Sequence, residues 1–135
     1  MALIQWNDSL KVNVAEIDKQ HQKLVDMINS LHEAMRQGQG NSVLGPLVSG
    51  LIDYTATHFA SEEKLMEAAG YPMLDEHRKL HRHLLSQARD MEMRAEFGEQ
   101  YVPVELSHFL YNWLIDHIQA NDKKFGEFMA ARSGA

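Results

Sequence analysis

Two pairs of potential metal ligands spaced four residues apart, His58 with Glu62 and His77 with His81, flank a Gly70-Tyr71-Pro72 break. In a helix, positions i and i+4 lie one above the other, so each pair aims two donors in one direction. Two such helices joined by a tight turn can face their pairs across a common interface, as a metal site inside a bundle requires. Imidazole and carboxylate suit iron, manganese, copper or zinc, whereas calcium and magnesium want more oxygen. The chain has no cysteine, which excludes disulfides, thiolate sites and iron–sulfur clusters and is compatible with a reducing compartment.

The elements that must hold these donors follow from periodicity. Ile17, His21, Leu24, Val25, Ile28, Leu31 and Met35 fall on one helical stripe, with Asp18 as the expected N-cap and Gly38-Gln39-Gly40 as the stop. A second stripe comprises Leu44, Leu47, Val48, Leu51, Thr55, His58, Glu62, Leu65 and Met66. It tolerates Pro46 if that residue lies in about the first turn. The third stripe holds Leu74, His77, Leu80, His81, Leu84, Leu85, Ala88 and Met91, up to a stop at Gly98. The fourth opens near Pro103 and carries Leu106, Phe109, Leu110, Trp113, Leu114, His117 and Ile118, with Phe125, Phe128 and Met129 continuing it. The expected architecture is one all-α domain over 1–135, an antiparallel up-down-up-down four-helix bundle with helices at about 17–37, 42–69, 74–97 and 103–131. Residues 1–16 form an N-terminal arm, read as extended, whose Ile4, Trp6, Leu10, Val12 and Val14 pack on the bundle. The tail from Arg132 is expected to fray.

His21, His58, Glu62, His77, His81 and His117 sit on apolar stripes, where a polar side chain is costly unless paired, hydrogen-bonded or bound to metal. In an antiparallel hairpin, residues equidistant from the turn share a level. His21 and His58 are matched about the Gly38–Gly40 turn, and His58/Glu62 is matched with His77/His81 about Gly70. Reflection through the connection near Glu99 brings His77/His81 close to His117. All four helices thus bring donors to one layer, within roughly a turn or about 5 Å. Scattered core histidines have no reason to coincide in this way. Asp122 follows His117 by five residues, and an ideal helix would rotate it roughly 140° away. Either the helix loosens around Ala120-Asn121, as in the π-bulges of functional sites, or Asp122 is a surface residue. Five histidines with one or two carboxylates are too many for one tetrahedral zinc. They suit two six-coordinate ions that share bridging carboxylates and leave one position open.

The order His, His-x-x-x-Glu, His-x-x-x-His, His-x-x-x-x-Asp over four helices resembles the hemerythrins, and among them the bacteriohemerythrins. The stretches Val14-Ala-Glu-Ile-Asp18-Lys-Gln-His21, His58-Phe-Ala-Ser-Glu62-Glu63, Gly70-Tyr71-Pro72 and Trp113-Leu-Ile-Asp-His117 carry the likeness, which spans nearly the whole chain. The resemblance implies a non-haem di-iron site. His77, His81 and His117 would bind one iron and His21 and His58 the other, bridged by Glu62, Asp122 and a solvent-derived oxo or hydroxo group. The iron with two histidines would keep the open position for dioxygen. The family's oxygen pocket corresponds to Leu24, Phe59, Trp113, Leu114 and Ile118.

Reversible dioxygen binding for carriage, storage or delivery to an oxygen-using enzyme is therefore the leading expectation, without catalysis. Oxygen or redox sensing for a signalling partner is the alternative, followed by an enzyme acting on peroxide or nitric oxide. Di-iron oxygenases use more carboxylates, including paired Glu-x-x-His motifs, and this set of ligands is histidine-rich. Outside the motif, His32, His83 and His108 read as surface or packing residues, Glu63 as solvated, and the methionines as core filler. A net charge of −6 without basic runs argues against nucleic-acid binding. The N-terminus shows neither a signal peptide nor a membrane span. A soluble, cytoplasmic monomer is expected.

Overall fold

The computed structural model describes residues 4–96, 109, 111–113 and 115–133. Three long helices run in order: α1 (Ala15–Arg36), α2 (Asn41–Ala69) and α3 (Leu74–Glu96). Helical residues 111–113 and 115–117 lead into a π-helical segment, Ile118–Asp122, and then α4 (Lys123–Ser133). No strand occurs among the described residues, and the helices form a four-helix bundle in which α2 packs on both α1 and α3. No helix among them is long and apolar enough to cross a membrane.

The hairpin turns are set by glycine. Gly38 and Gly70 adopt φ of 75° and 70°, a left-handed conformation that costs glycine little. Behind each, two backbone bonds close the helix end: Gln39 N–H to Ala34 O with Gly38 N–H to Met35 O, and Tyr71 N–H to Met66 O with Gly70 N–H to Glu67 O. This double closure is the Schellman arrangement, which satisfies carbonyls a helix end would otherwise orphan. It reverses the chain sharply and keeps neighbouring helices in register at the level of the histidines.

All seven residues of the α1 stripe are buried, as are Leu44, Val48, Leu51, Phe59 and Met66 of α2. Ile17, Leu24, Ile28 and Leu31 are fully enclosed, each contributing about 1.5–3 kcal/mol by leaving water. Leu106, Leu110 and Leu114 of the fourth stripe, with Pro103 and His108, lie outside the described residues. Pro46 stands sixth in α2, just past the first turn, so the carbonyl of Ser42 loses the N–H that would have come from position 46. Both residues are exposed, and water can serve that carbonyl instead.

Asp18 is not the N-cap. The helix begins at Ala15, with Val14 in the cap position and Val14 O accepting from Asp18 N–H at 2.9 Å. The Asp18 carboxylate instead accepts from the backbone N–H of Val12 and Asn13, at 2.8 and 3.1 Å, and so fastens the arm. Asn13 takes φ of 64° there, a conformation asparagine tolerates better than most side chains. The arm is not wholly extended either, since Asp8–Leu10 makes one 3₁₀ turn. Asn29 grips the backbone of Ile4 from both sides, accepting from its N–H at 2.9 Å and donating to its carbonyl at 2.8 Å. Ile4, Leu10 and Val12 are buried, and Trp6 and Val14 pack against the core. Arg132 and Ser133 continue α4, and Arg132 donates to the carbonyl of Ala69; the rest of the tail expected to fray, Gly134 and Ala135, lies outside the described residues.

Gly126 is where the arm crosses α4. A Cβ there would overlap the carbonyl oxygen of Val12 and sit 3.0 Å from its carbonyl carbon, and backbone cannot swing aside as a side chain end can. Gly126→Ala should therefore destabilise the fold by about 1–3 kcal/mol, against the usual gain from replacing glycine in a helix. A lowered urea midpoint with unchanged slope is the expected result.

Candidate metal centre

Seven side chains meet in the bundle interior: His21, His58, Glu62, His77, His81, His117 and Asp122, all buried. Each helix contributes through its inner stripe. His58 and Glu62 stack one turn apart on α2, as do His77 and His81 on α3, and His21 comes from α1. His117 and Asp122 are joined by the π segment. There Lys123 N–H bonds to Ile118 O, five residues back, so each turn holds more residues than in an α-helix. The wider turn keeps Asp122 on the face of His117, and its side chain is fully enclosed. Of the two alternatives for this residue, the structure places Asp122 inside.

The carboxylates divide the histidines into two groups. Glu62 Oε1 lies 2.7 Å from His77 Nε2, 3.2 Å from His81 Nε2 and 3.8 Å from His117 Nε2. Its other oxygen, Oε2, lies 3.3 Å from His58 Nε2 and 3.7 Å from His21 Nε2. Asp122 repeats the division: Oδ1 is 3.0 and 3.1 Å from His77 and His117, and Oδ2 is 2.9 Å from His21. All five imidazoles turn Nε2 inward. Donor atoms of Glu62, His77, His81, His117 and Asp122 lie within 4.8 Å of one another, as do those of His21, His58, Glu62 and Asp122. Each set could hold a cation, and the two carboxylates are common to both.

Several of these close contacts miss hydrogen-bond alignment. His21 Nε2, His58 Nε2, Glu62 Oε2 and both Asp122 oxygens have no hydrogen-bond partner among the described residues. A buried polar atom left so costs about 1–3 kcal/mol, more if charged. The atoms converge on shared space without bonding one another, the arrangement of donors around a cation. The residues present fit a pair of imidazole- and carboxylate-ligated metal ions.

Without metal, protons do part of the cations' work. Burial alone would lower the His21 pKa, but Asp122 and Glu62 outweigh it and raise it from 6.5 to about 9. Burial is likewise overcome at His117, raised to about 10 by the same carboxylates, and at His77, also raised. At His58 burial prevails and the pKa falls. Glu62 and Asp122 are both held below the usual carboxylate range, the imidazoles overcoming the burial that opposes ionisation. A raised histidine pKa stabilises the fold fully below its unfolded value and loses that contribution as pH passes through the folded value. The metal-free protein should therefore lose stability between about pH 6.5 and 10, while the metal-loaded protein, its carboxylates neutralised by cations, should not. Melting temperatures of both forms across that range provide the test. Metal uptake at neutral pH should also release protons.

Two neighbours of the cluster escaped the sequence reading. Gln20 Oε1 accepts from His58 Nδ1–H at 2.5 Å, and its amide nitrogen donates to Ser61 Oγ at 3.1 Å. Glu63, expected to be solvated, accepts from His81 Nδ1–H at 2.7 Å and pairs with Arg78 at 3.3 Å. Its side chain keeps 23% exposure. A carboxylate beside a glutamate on a helix reads as surface, and only the expectation that metal-binding imidazoles use their second nitrogen could have pointed to it. His83 is exposed and His32 half-buried.

The description Hemerythrin HHE cation binding domain matches residues 12–128. The chain belongs to the hemerythrin family. Among its hemerythrin relatives, a bacteriohemerythrin of Stenotrophomonas maltophilia is 35% identical over 131 residues, spanning 97% of this chain and 84% of that one. A bacteriohemerythrin of Pseudomonas aeruginosa is 39% identical over 122 residues, spanning 90% and 78%. The crystal structure of a wild-type hemerythrin superposes with a TM-score of 0.87 at 34% identity, over 93% of this chain and 97% of that one. The buried cluster of this hemerythrin can accommodate the family's two metal ions.

The expected pocket residues Leu24, Phe59, Trp113 and Ile118 are all buried, while Leu114 is outside the described residues. Phe59 stacks on His81 with ring centroids 3.7 Å apart and also touches His58, His117 and Trp113. One turn further along the bundle axis lies a cavity of about 20 Å³, lined by Leu51, Ile52, Thr55, Leu85 and Trp113 among others. Thr55 spends its hydroxyl on the carbonyl of Leu51 at 2.7 Å, so its wall is effectively apolar.

Proposed function

We propose that this chain binds dioxygen reversibly at a pair of non-haem irons, His77, His81 and His117 holding one and His21 and His58 the other. Glu62 and Asp122 would be shared by both ions. The observation that carries this reading is the division of each carboxylate's oxygens between the same two histidine groups. A pair of ferrous ions, when bound, supplies the electrons that dioxygen takes up. The two-histidine set offers one donor fewer, which leaves room for a ligand on that side. The buried side chains of Leu24, Phe59, Trp113 and Ile118 supply an apolar wall that excludes water. Exclusion of water and stray protons favours the return of dioxygen unchanged over its loss in a reduced form.

Two carboxylates against five imidazoles support binding rather than catalysis, since oxygen-activating di-iron sites carry more carboxylate and paired Glu-x-x-His motifs. The role is carriage, storage or delivery to an oxygen-using enzyme, in the cytoplasm, and the cysteine-free composition suits that compartment. Anaerobically reduced protein should hold about two irons per chain and develop a visible absorption band on exposure to oxygen that bleaches on deoxygenation. Tight zinc binding with substoichiometric iron would overturn the reading. Steady turnover of peroxide would move the protein to the enzymes.

A further inference from the structure

We infer that Glu63 is a positioning residue that, acting through His81, makes the two irons unequal in their preference for the oxidised state. The inference rests on the reading of the cluster as an iron pair. His81 turns Nε2 toward Glu62 and His117, at 3.2 and 3.1 Å, and gives its Nδ1–H to Glu63 Oε2 at 2.7 Å. A carboxylate can only accept, so Glu63 fixes the proton on Nδ1 and leaves the Nε2 lone pair facing inward. Such a partner also makes an imidazole a more basic ligand.

The corresponding place in the other set is filled by a neutral group. His58 gives its Nδ1–H to Gln20 Oε1 at 2.5 Å, and Ser61 holds the amide. Gln20 orients its imidazole through the same nitrogen as Glu63 does but adds no net charge. Among the described residues, each group of histidines thus has one imidazole locked from behind, and only the three-histidine group has a negative charge there.

Glu63 is itself held in place. Arg78 Nε lies 3.3 Å from its Oε1, and the same guanidinium reaches Glu67 at 3.2 Å and Asp75 at 3.9 Å. Arg78 does not cancel the carboxylate's effect on His81. Its charge is shared among three acids, and its side chain is 36% exposed against 23% for Glu63, so solvent screens it more. The carboxylate–imidazole contact is shorter and faces the interior. Negative charge on this side favours the more highly charged ferric state at the three-histidine iron. Glu63 and Gln20 together therefore set how readily the pair loses its electrons in air.

The test compares the iron-loaded full chain with Glu63→Gln, Glu63→Ala and Gln20→Glu variants. Glutamine keeps an acceptor for His81 and removes only the charge. It should retain iron within a few-fold of the parent, shift the midpoint potential positive and slow oxidation of the ferrous pair in air. Alanine removes the orientation as well and should weaken iron affinity by about 10–100-fold in a chelator competition. Gln20→Glu should shift the potential negative, which keeps the inference testable if the Glu63 variants fold poorly. An unmoved potential in both Glu63→Gln and Gln20→Glu would overturn the inference alone. A parent protein that holds no iron pair would overturn it together with the proposed function.

Discussion

Glu62→Ala protein should fold yet hold at most one iron per chain and show no oxygen-dependent absorption, while His83→Ala protein should match the parent in both. The contrast follows from where the two side chains sit. Glu62 is the one α2 residue whose oxygens face both histidine groups, three imidazoles at Oε1 and two at Oε2. Losing a terminal imidazole leaves the second set of donors intact, whereas losing a shared carboxylate strips a ligand from both. It also removes a negative charge that offsets the mutual repulsion of two close cations, which at an effective dielectric of about 20 and a few ångströms amounts to several kcal/mol. Asp122→Ala should behave alike, since its oxygens are split the same way. The fold should survive because the imidazoles left behind can shed their protons and become neutral. His83 is exposed on α3. Iron analysis after desalting, with far-ultraviolet circular dichroism as the folding control, separates the cases. Equal iron retention in all three variants would count against the assignment of ligands.

How far the sequence could anticipate this centre depended on whether geometry repeats. On α1 the helical period named Ile17, His21, Leu24, Val25, Ile28, Leu31 and Met35, and all seven are buried. His58/Glu62 and His77/His81 stood out because regular helix puts i and i+4 on one face. Asp122 did not, because its place depends on a departure from that regularity. Asp18 was misjudged for a similar reason: an acidic residue near a helix start suits a cap, but its true partners are the backbone N–H groups of an aperiodic arm. Gly126 carried no signal at all, since the carbonyl it accommodates belongs to Val12, far away in sequence. Gln20 and Glu63 lie next to cluster residues in sequence but off the helical stripes. Their importance rests on contacts to a neighbouring helix, Gln20 of α1 with His58 of α2 and Glu63 of α2 with His81 of α3. Period-based reading finds what faces the core and misses what supports it from the flank.

Inserting one alanine after Ala120 should abolish paired iron binding and also unfold the C-terminal part of the bundle. The π segment already accommodates one residue more per turn than an α-helix, with Lys123 N–H reaching Ile118 O. A further residue has no wider turn to absorb it, so everything beyond would rotate by roughly 100° about the helix axis. Asp122 would leave the face of His117 and its place beside His21 and His77. Phe125, fully buried and in edge contact with Tyr71 at 5.1 Å, would swing out of the core, a loss comparable to about 3–5 kcal/mol for deleting a buried phenylalanine. Gly126 would no longer meet Val12, so the arm would lose its seat as well. Deleting Ala120 should be far milder. It returns the segment to ordinary α-helical spacing, keeps α4 in register and leaves an aspartate four residues after His117, still on the inner face. Thermal melts of the two variants should therefore diverge strongly, the insertion falling well below the parent and the deletion staying near it. If both melt alike, the π turn is not what holds Asp122 and α4 in place. Iron content adds the second criterion, because a deletion variant that folds normally but binds iron more weakly isolates the π turn's effect on the metal centre from its effect on the fold.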